Sequence, residues 1–177
     1  MRTPRIIMIV AMSPQRIIGG PNGGLPWPRI SEDFKHLKRE TMGHPMVVGN
    51  TTFKEFPKTL PGRFHSVVSR KDTRSDDENV LYSNTPNDAI IEAQNRSADG
   101  KVFVIGGATI YDALFGLADE IIVTRIQIDL NNGPIFPQFE DIFHLKSVRP
   151  KKENHKLKYQ FEWWVKNPDD LENKHFS

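Results

Sequence analysis

"KVFVIGGATIYDALFG", residues 101–116, changes character half-way along. "KVFVIGG", 101–107, is a run of β-branched and aromatic residues entering a double glycine, the composition of a buried strand. "ATIYDALFG", 108–116, then reads as a helix that Gly116 closes. Downstream, "EIIVTRIQI", 120–128, is a second strand. Upstream, "TPNDAIIEAQNR", 85–96, is a helix with Thr85 as its cap and Pro86 at its first position. Strands that alternate with helices in this way point to a mostly parallel α/β sheet.

The same alternation extends to both ends of the chain. "RIIMIVAM", 5–12, is a continuous apolar strand, and "GGPNGG", 19–24, a flexible loop. Residues 31–42 form a helix with Ser31 as N-cap. "PMVVGN", 45–50, is a strand ending at Gly49, "TTFKEF", 51–56, one or two helical turns, and "PKTLPGR", 57–63, a turn. "FHSVVS", 64–69, is a strand, "RKDTRSDDEN", 70–79, a polar loop, and "VLYS" a weak strand. "FHLKSVRP" and "KLKYQFEWWVK" close the sheet as an antiparallel hairpin with charged turn residues between them. The expected architecture is one α/β domain over 1–166, a mostly parallel sheet flanked by helices, followed by a polar, frayed tail over 167–177.

The 177 residues are 37% hydrophobic and 26% charged, with a net charge of +2 spread along the chain, so a globular domain is expected and not a basic nucleic-acid binder. Lys151, Lys152, Lys156 and Lys158 read as the solvated face of a hairpin. There is no cysteine, which excludes disulfides, thiolate metal sites and a cysteine nucleophile. The apolar N-terminal run lacks the small-residue cleavage site of a signal peptide, and no stretch approaches membrane-spanning length. A cytoplasmic location and a monomeric state are expected.

"LPWPRISEDFKHLKRET", 25–41, carries adjacent acids, Glu32 and Asp33. On a helix of about 100° per residue, Ile30, Phe34, Leu37 and Thr41 share one face. Glu32 lies opposite with Lys35, His36 and Arg39, a solvated first-turn acid. Asp33 lies at the margin of the apolar face, roughly 70° from its centre. Such an acid either supports the helix N-terminus or, desolvated in a cleft, binds an amidine-like edge and helps deliver a proton.

These segments together resemble the dihydrofolate reductase family over nearly the whole chain. The residues that carry the resemblance are "IVAM", "IIGG…GGLPWP", "EDFKHLKRET", "VVGNTTF", "LPGR", "VVSR", "VIGGATIY" and "VTRI", in order. The resemblance implies NADPH-dependent reduction of 7,8-dihydrofolate to 5,6,7,8-tetrahydrofolate, with no metal. It implies Asp33 as the acid, and Leu25 and Trp27 on a mobile lid over the reacting rings. Phe34, Leu37, Phe56 and Leu60 would wall the pterin and benzoyl rings, with Ile9, Val10, Ile105 and Tyr111 beside them. Thr124 would bond both the acid and the pterin amino group, and Arg63 would clamp the α-carboxylate of the glutamate tail.

For the cofactor the resemblance implies Ala11, Ile18, Gly19, Ile105 and Tyr111 near the nicotinamide. Gly106 and Gly107, joined by a cis peptide, would meet the pyrophosphate together with Ala108, Thr109 and Ile110. Gly49, Asn50, Thr51 and Thr52 repeat that strand–glycine–helix arrangement. Ser69, Arg70 and Lys71 would read the ribose 2′-phosphate. Three positions depart from the pattern. Asn50 stands where many members are basic, Thr109 where many have arginine or lysine, and Gly133 where some bacterial members have an acid tied to the lid. A related pteridine or riboflavin-pathway reductase, or a catalytically weak structural member, are the rival readings.

Overall fold

A computed structural model of the chain describes residues 4–71 and 74–171. The elements run β1 (Arg5–Met12), α1 (Ser31–Thr41), β2 (Met46–Gly49), α2 (Asn50–Lys54), β3 (His65–Val68), β4 (Val80–Ser83), α3 (Pro86–Asn95) and β5 (Lys101–Val104). They continue with α4 (Ala108–Leu114), β6 (Glu120–Ile126), β7 (Phe143–Val148), β8 (Lys152–Asn154), β9 (Leu157–Lys166) and a helical turn, α5 (Pro168–Leu171). All strands join one sheet in the order β4-β3-β2-β5-β1-β6-β9-β7, with β8 also paired to β9. The first six strands of that order are mutually parallel, and β9 then runs antiparallel to β6, as do β7 and β8 to β9. The α/β sheet expected from the alternation is the sheet observed.

Its central strands are buried on both faces, which is why they read as continuous apolar runs. One face packs Met8, Val10, Met12, Val104, Ile121 and Val123 against α3 and α4. Phe136 and Phe139, from the segment between β6 and β7, and Phe143, the first residue of β7, close that layer with edge-to-face rings. The other face carries Ile7, Ile9, Met46, Phe103 and Ile122.

Several local expectations differ. Ser31 is not the cap of α1: the N-cap is Ile30, which makes no side-chain cap bond. Ile30 is drawn into the core beside Trp27, Tyr159 and Phe161, so burial fixes the helix entry in place of a hydroxyl. Gly116 does not close α4; the helix tightens into a 3-10 turn, Phe115–Leu117, that carries the glycine inside it. The closing hairpin is β8–β9, turning at His155 and Lys156, whose φ values of 51° and 62° suit the twist of a two-residue connection. β7 pairs with the other half of β9. The expected tail begins as structure: the Asn167 amide donates to Ile142 O at 2.9 Å, and Pro168–Leu171 add a helical turn. Residues 172–177 of that tail, and Asp72 and Thr73 of the polar loop, lie outside the described residues.

Candidate active site

The carboxyl ends of the parallel strands bring the expected residues to one edge of the sheet, the edge at which open α/β sheets form ligand crevices. β1 ends in Val10, Ala11 and Met12, β2 in Gly49, β3 in Val68 followed by Ser69, and β5 in Val104 followed by Ile105. β6 places Thr124 beside Ala11.

Helix α1 lies over this edge and supplies the acid. The Thr124 hydroxyl donates to Asp33 Oδ1 at 2.6 Å. Burial pushes the Asp33 carboxyl above its ordinary value, and the Thr124 bond works against that rise. Two phenols sense the same charge. Tyr111 and Tyr159 are both pushed up, first by burial; Asp33 adds to the shift of Tyr111, and Glu32 and Asp33 to that of Tyr159. Glu32, by contrast, faces outward and pairs with Lys35 at 3.6 Å and Lys152 at 3.5 Å. The two adjacent acids therefore have different surroundings.

The buried arc of α1 is wider than the sequence pattern indicates. His36, expected on the solvated side, is 1% exposed. Its ring lies 4.0 Å from that of Phe161 and meets Trp163 edge-on at 5.6 Å. With His36 inside, Asp33 sits near the middle of the buried arc and not at its margin. Phe34, expected on the core face, is 37% exposed and lies under the Arg29 guanidinium at 4.3 Å. Leu37, Leu60 and Ile105 converge on Ile9 and its neighbours as one apolar wall. Phe56 lies beside Phe53, with ring centres 6.0 Å apart.

Opposite that wall, two strand–helix turns interlock. The Gly106–Gly107 peptide is cis, and Gly106 has φ +112°. Its carbonyl accepts from the Gly49 amide at 2.8 Å. A Cβ on Gly106 would stand 3.1 Å from the Tyr111 ring, and one on Gly107 3.2 Å from Thr52 Oγ1. A side chain would crowd both positions, and the positive φ of Gly106 disfavours one outright, leaving Gly49, Gly106 and Gly107 as a cradle beside the Thr52 hydroxyl. Tyr111 reaches back beneath it, donating to Ile9 O at 2.7 Å. Ala108 and the exposed Thr109 begin α4, whereas the Ile110 side chain packs in the core, next to Gly49. Thr51 is exposed at the start of α2. Ser69 Oγ accepts from Asn50 Nδ2 at 3.5 Å and from the Lys71 amide at 3.3 Å, while Arg70 is exposed next to them. The cradle and this hydroxyl–amide–guanidinium group have the bare backbone and cationic edge that a phosphorylated dinucleotide needs.

At the far end of α1, Arg63 is 5% exposed, and burial lowers its pKa below the ordinary arginine value. Among the described residues no carboxylate is within ion-pair distance of it. A buried cation without an anion is costly, and its free edge is a receptor for one.

Comparison with known proteins agrees with this layout. A family model described as "Dihydrofolate reductase" matches residues 5–166. The chain belongs to the dihydrofolate reductase family. It is 33% identical over 174 residues to the type 9 dihydrofolate reductase of Escherichia coli, covering 93% of this chain and 94% of that protein. It is 33% identical over 146 residues to the dihydrofolate reductase of Staphylococcus aureus (81% and 86%) and 30% over 148 residues to that of Buchnera aphidicola (83% and 88%). It is thus an oxidoreductase.

Within that family frame, the segment expected to form a lid divides into parts. Trp27 is buried with Ile30, Ile126, Tyr159 and Phe161 at the loop's end, whereas Leu25 is 47% exposed. The loop's start is fastened to the segment after β6. Ile18 N donates to Pro134 O at 2.9 Å, Phe136 N donates to Arg16 O at 2.8 Å, and Ile17 bridges Ile135. Gly133, one of the departures, has φ +135°, and a Cβ on it would stand 2.2 Å from Gly19 O. Here backbone against backbone holds the loop where a side chain has no room. Sequence reasoning missed two residues of this site, the buried His36 and Thr41. Thr41 was legible only as a member of the apolar face, and nothing in the local pattern marks His36 as buried.

Proposed function

We propose that this protein reduces 7,8-dihydrofolate to 5,6,7,8-tetrahydrofolate with NADPH. The observation that carries the reading is the desolvated Asp33 carboxyl held by Thr124 at 2.6 Å, beside the apolar wall of Ile9, Leu37, Leu60 and Ile105. The glycine cradle would hold the pyrophosphate of NADPH, whose nicotinamide would supply the hydride that carbon 6 of the pterin gains. Asp33 accepts two hydrogen bonds from the amidine-like edge of the pterin and assists delivery of the proton that nitrogen 5 gains. Thr124 spends its proton on Asp33, so its lone pairs are left to accept from the pterin amino group. Leu25 and the glycine loop cover the rings and exclude water.

Arg63 holds the α-carboxylate of the glutamate tail, and Arg70, with Ser69 and Lys71, holds the 2′-phosphate. Gly49, Asn50, Thr51, Thr52, Ala108 and Thr109 line the phosphates, and Val10, Ala11, Ile18 and Gly19 the nicotinamide. The catalytic domain is 1–166, acting as a monomer in the cytoplasm. Among the described residues no helix is long and apolar enough to cross a membrane. Oxidation of NADPH by the purified protein, followed by absorbance with and without dihydrofolate, tests the reading. Oxidation that does not depend on dihydrofolate, or its absence in a folded sample, overturns it.

A further inference from the structure

Helix α1 ends on Thr41, whose side chain is completely buried. Its hydroxyl donates to Leu37 O at 2.7 Å, one turn back along the helix. With its proton so engaged, Oγ1 offers lone pairs outward, and Arg63 Nη1 donates to it at 3.2 Å. Arg63 Nε donates to Pro61 O at 3.1 Å. The helix end and the Pro61–Arg63 turn are fastened again where Gly43 N donates to Gly62 O at 3.0 Å.

These contacts fix which edge of the guanidinium is available. A guanidinium has five N–H groups. Pro61 takes the one on Nε and Thr41 one on Nη1. Among the described residues, the second N–H of Nη1 and both on Nη2 have no protein partner. One N–H from each of these two nitrogens makes the end of the fork, where a carboxylate docks through two parallel bonds. Docking side-on through Nε is closed by Pro61. We propose that Thr41 is a positioning residue for carboxylate recognition, holding Arg63 so that its Nη1–Nη2 end meets the tail of the substrate. This rests on the reading of Arg63 as the tail clamp.

The test compares Thr41→Val, which keeps the shape and removes the acceptor, with Thr41→Ser, which keeps the acceptor. Affinity is measured for folate, which has the glutamate tail, and for a 2,4-diaminopyrimidine, which does not. Thr41→Val is expected to weaken folate about tenfold and the diaminopyrimidine by less than about twofold, raising KM for dihydrofolate more than it changes kcat. Thr41→Ser should restore folate affinity. In an Arg63→Ala background Thr41→Val should add nothing further. Thr41→Ala repeats the comparison should the valine variant unfold. Equal weakening of both ligands, no weakening of either, or full additivity with Arg63→Ala overturns the role of Thr41. If Arg63→Ala itself fails to separate the two ligands, the tail clamp falls, and the positioning role with it.

Discussion

Replacing His36 by Phe should make the protein more resistant to acid, because His36 is buried neutral on the helix that carries Asp33. Arg39 Nη2 lies 3.0 Å from His36 Nδ1 and can only donate, so Nδ1 accepts and the proton sits on Nε2. Among the described residues, Nε2 is buried without a partner. Burial, then the charges of Arg39 and Arg149, lower the His36 pKa from 6.5 to about 4. Glu40, 3.7 Å from Nδ1, favours the charged form, but it also faces Arg39 at 3.8 Å and does not offset the loss. A histidine whose folded pKa is depressed binds fewer protons folded than unfolded. Its stability contribution is therefore complete above pH 6.5 and lost as pH falls toward 4. The linkage integral gives a cost of about 2 kcal/mol at pH 5 and about 3 kcal/mol at pH 4. Urea unfolding of the wild type and of His36→Phe at pH 7.5 and 5 measures it. The repacking cost of the larger ring, about 1 kcal/mol, is the same at both pH values and cancels in the difference. The wild type should lose about 2 kcal/mol more than the variant between them. Parallel pH dependences would mean that the histidine is already charged in the fold, or reaches water, and would refute the burial account of α1.

Five further outcomes are expected. Asp33→Asn should keep the fold and lose most dihydrofolate reduction near neutral pH, while Glu32→Gln keeps it; steady-state rates decide between the two acids. Because burial raises the Asp33 pKa, Asp33→Asn should also be more stable than the wild type at neutral pH, and that gain should fade as pH falls toward the ordinary carboxylate value of 3.8, as read by thermal unfolding. Arg70→Ala should cut the preference for NADPH over NADH by about 1.5–3 kcal/mol, measured as the ratio of kcat/KM values. Gly133→Ala should destabilise by at least about 2 kcal/mol in denaturant unfolding, since its Cβ has no room beside Gly19 O and its φ disfavours a side chain. Arg63→Leu should weaken methotrexate or folate by roughly 2–4 kcal/mol and leave a trimethoprim-like compound nearly unaffected by calorimetry.

The sheet was legible because strands buried on both faces write themselves as apolar runs, and the paired glycines mark where backbone must approach backbone. The helical wheel points to Asp33 for a partly mistaken reason. It treats His36 as polar and so displaces the buried arc toward Phe34. The structure moves that arc back, because a neutral imidazole can stack on Phe161 as an aromatic ring does. Helix caps are less legible. Thr85 caps α3, accepting from Asp88 N at 3.1 Å, but Ser31 yields to Ile30, whose burial against Trp27 and Phe161 outweighs one hydroxyl bond. Bonds across the fold, such as Thr41 to Arg63 over 22 residues, leave no local signature.

That long bond gives α1 two tasks on one rigid rod. Asp33 stands in its first turn and Thr41 at its last residue. Eight residues at about 1.5 Å each separate them by roughly 12 Å. On the proposed reading, one end of the helix holds the acid for the reacting ring, and the other holds the arginine for the carboxylate at the far end of the same substrate. A helix keeps that spacing as a loop could not, because each peptide is bonded to the next turn. A tailed ligand therefore engages both ends and is sensitive to any bend or fraying between them. A ligand that ends at the ring engages only Asp33. Disturbing the helix C-terminus should consequently change selectivity between the two kinds of ligand while leaving the chemistry at Asp33 intact. Disturbing its N-terminus should weaken both kinds together. The asymmetry follows from the rod itself, and it separates a helix that measures its substrate from one that merely covers the sheet.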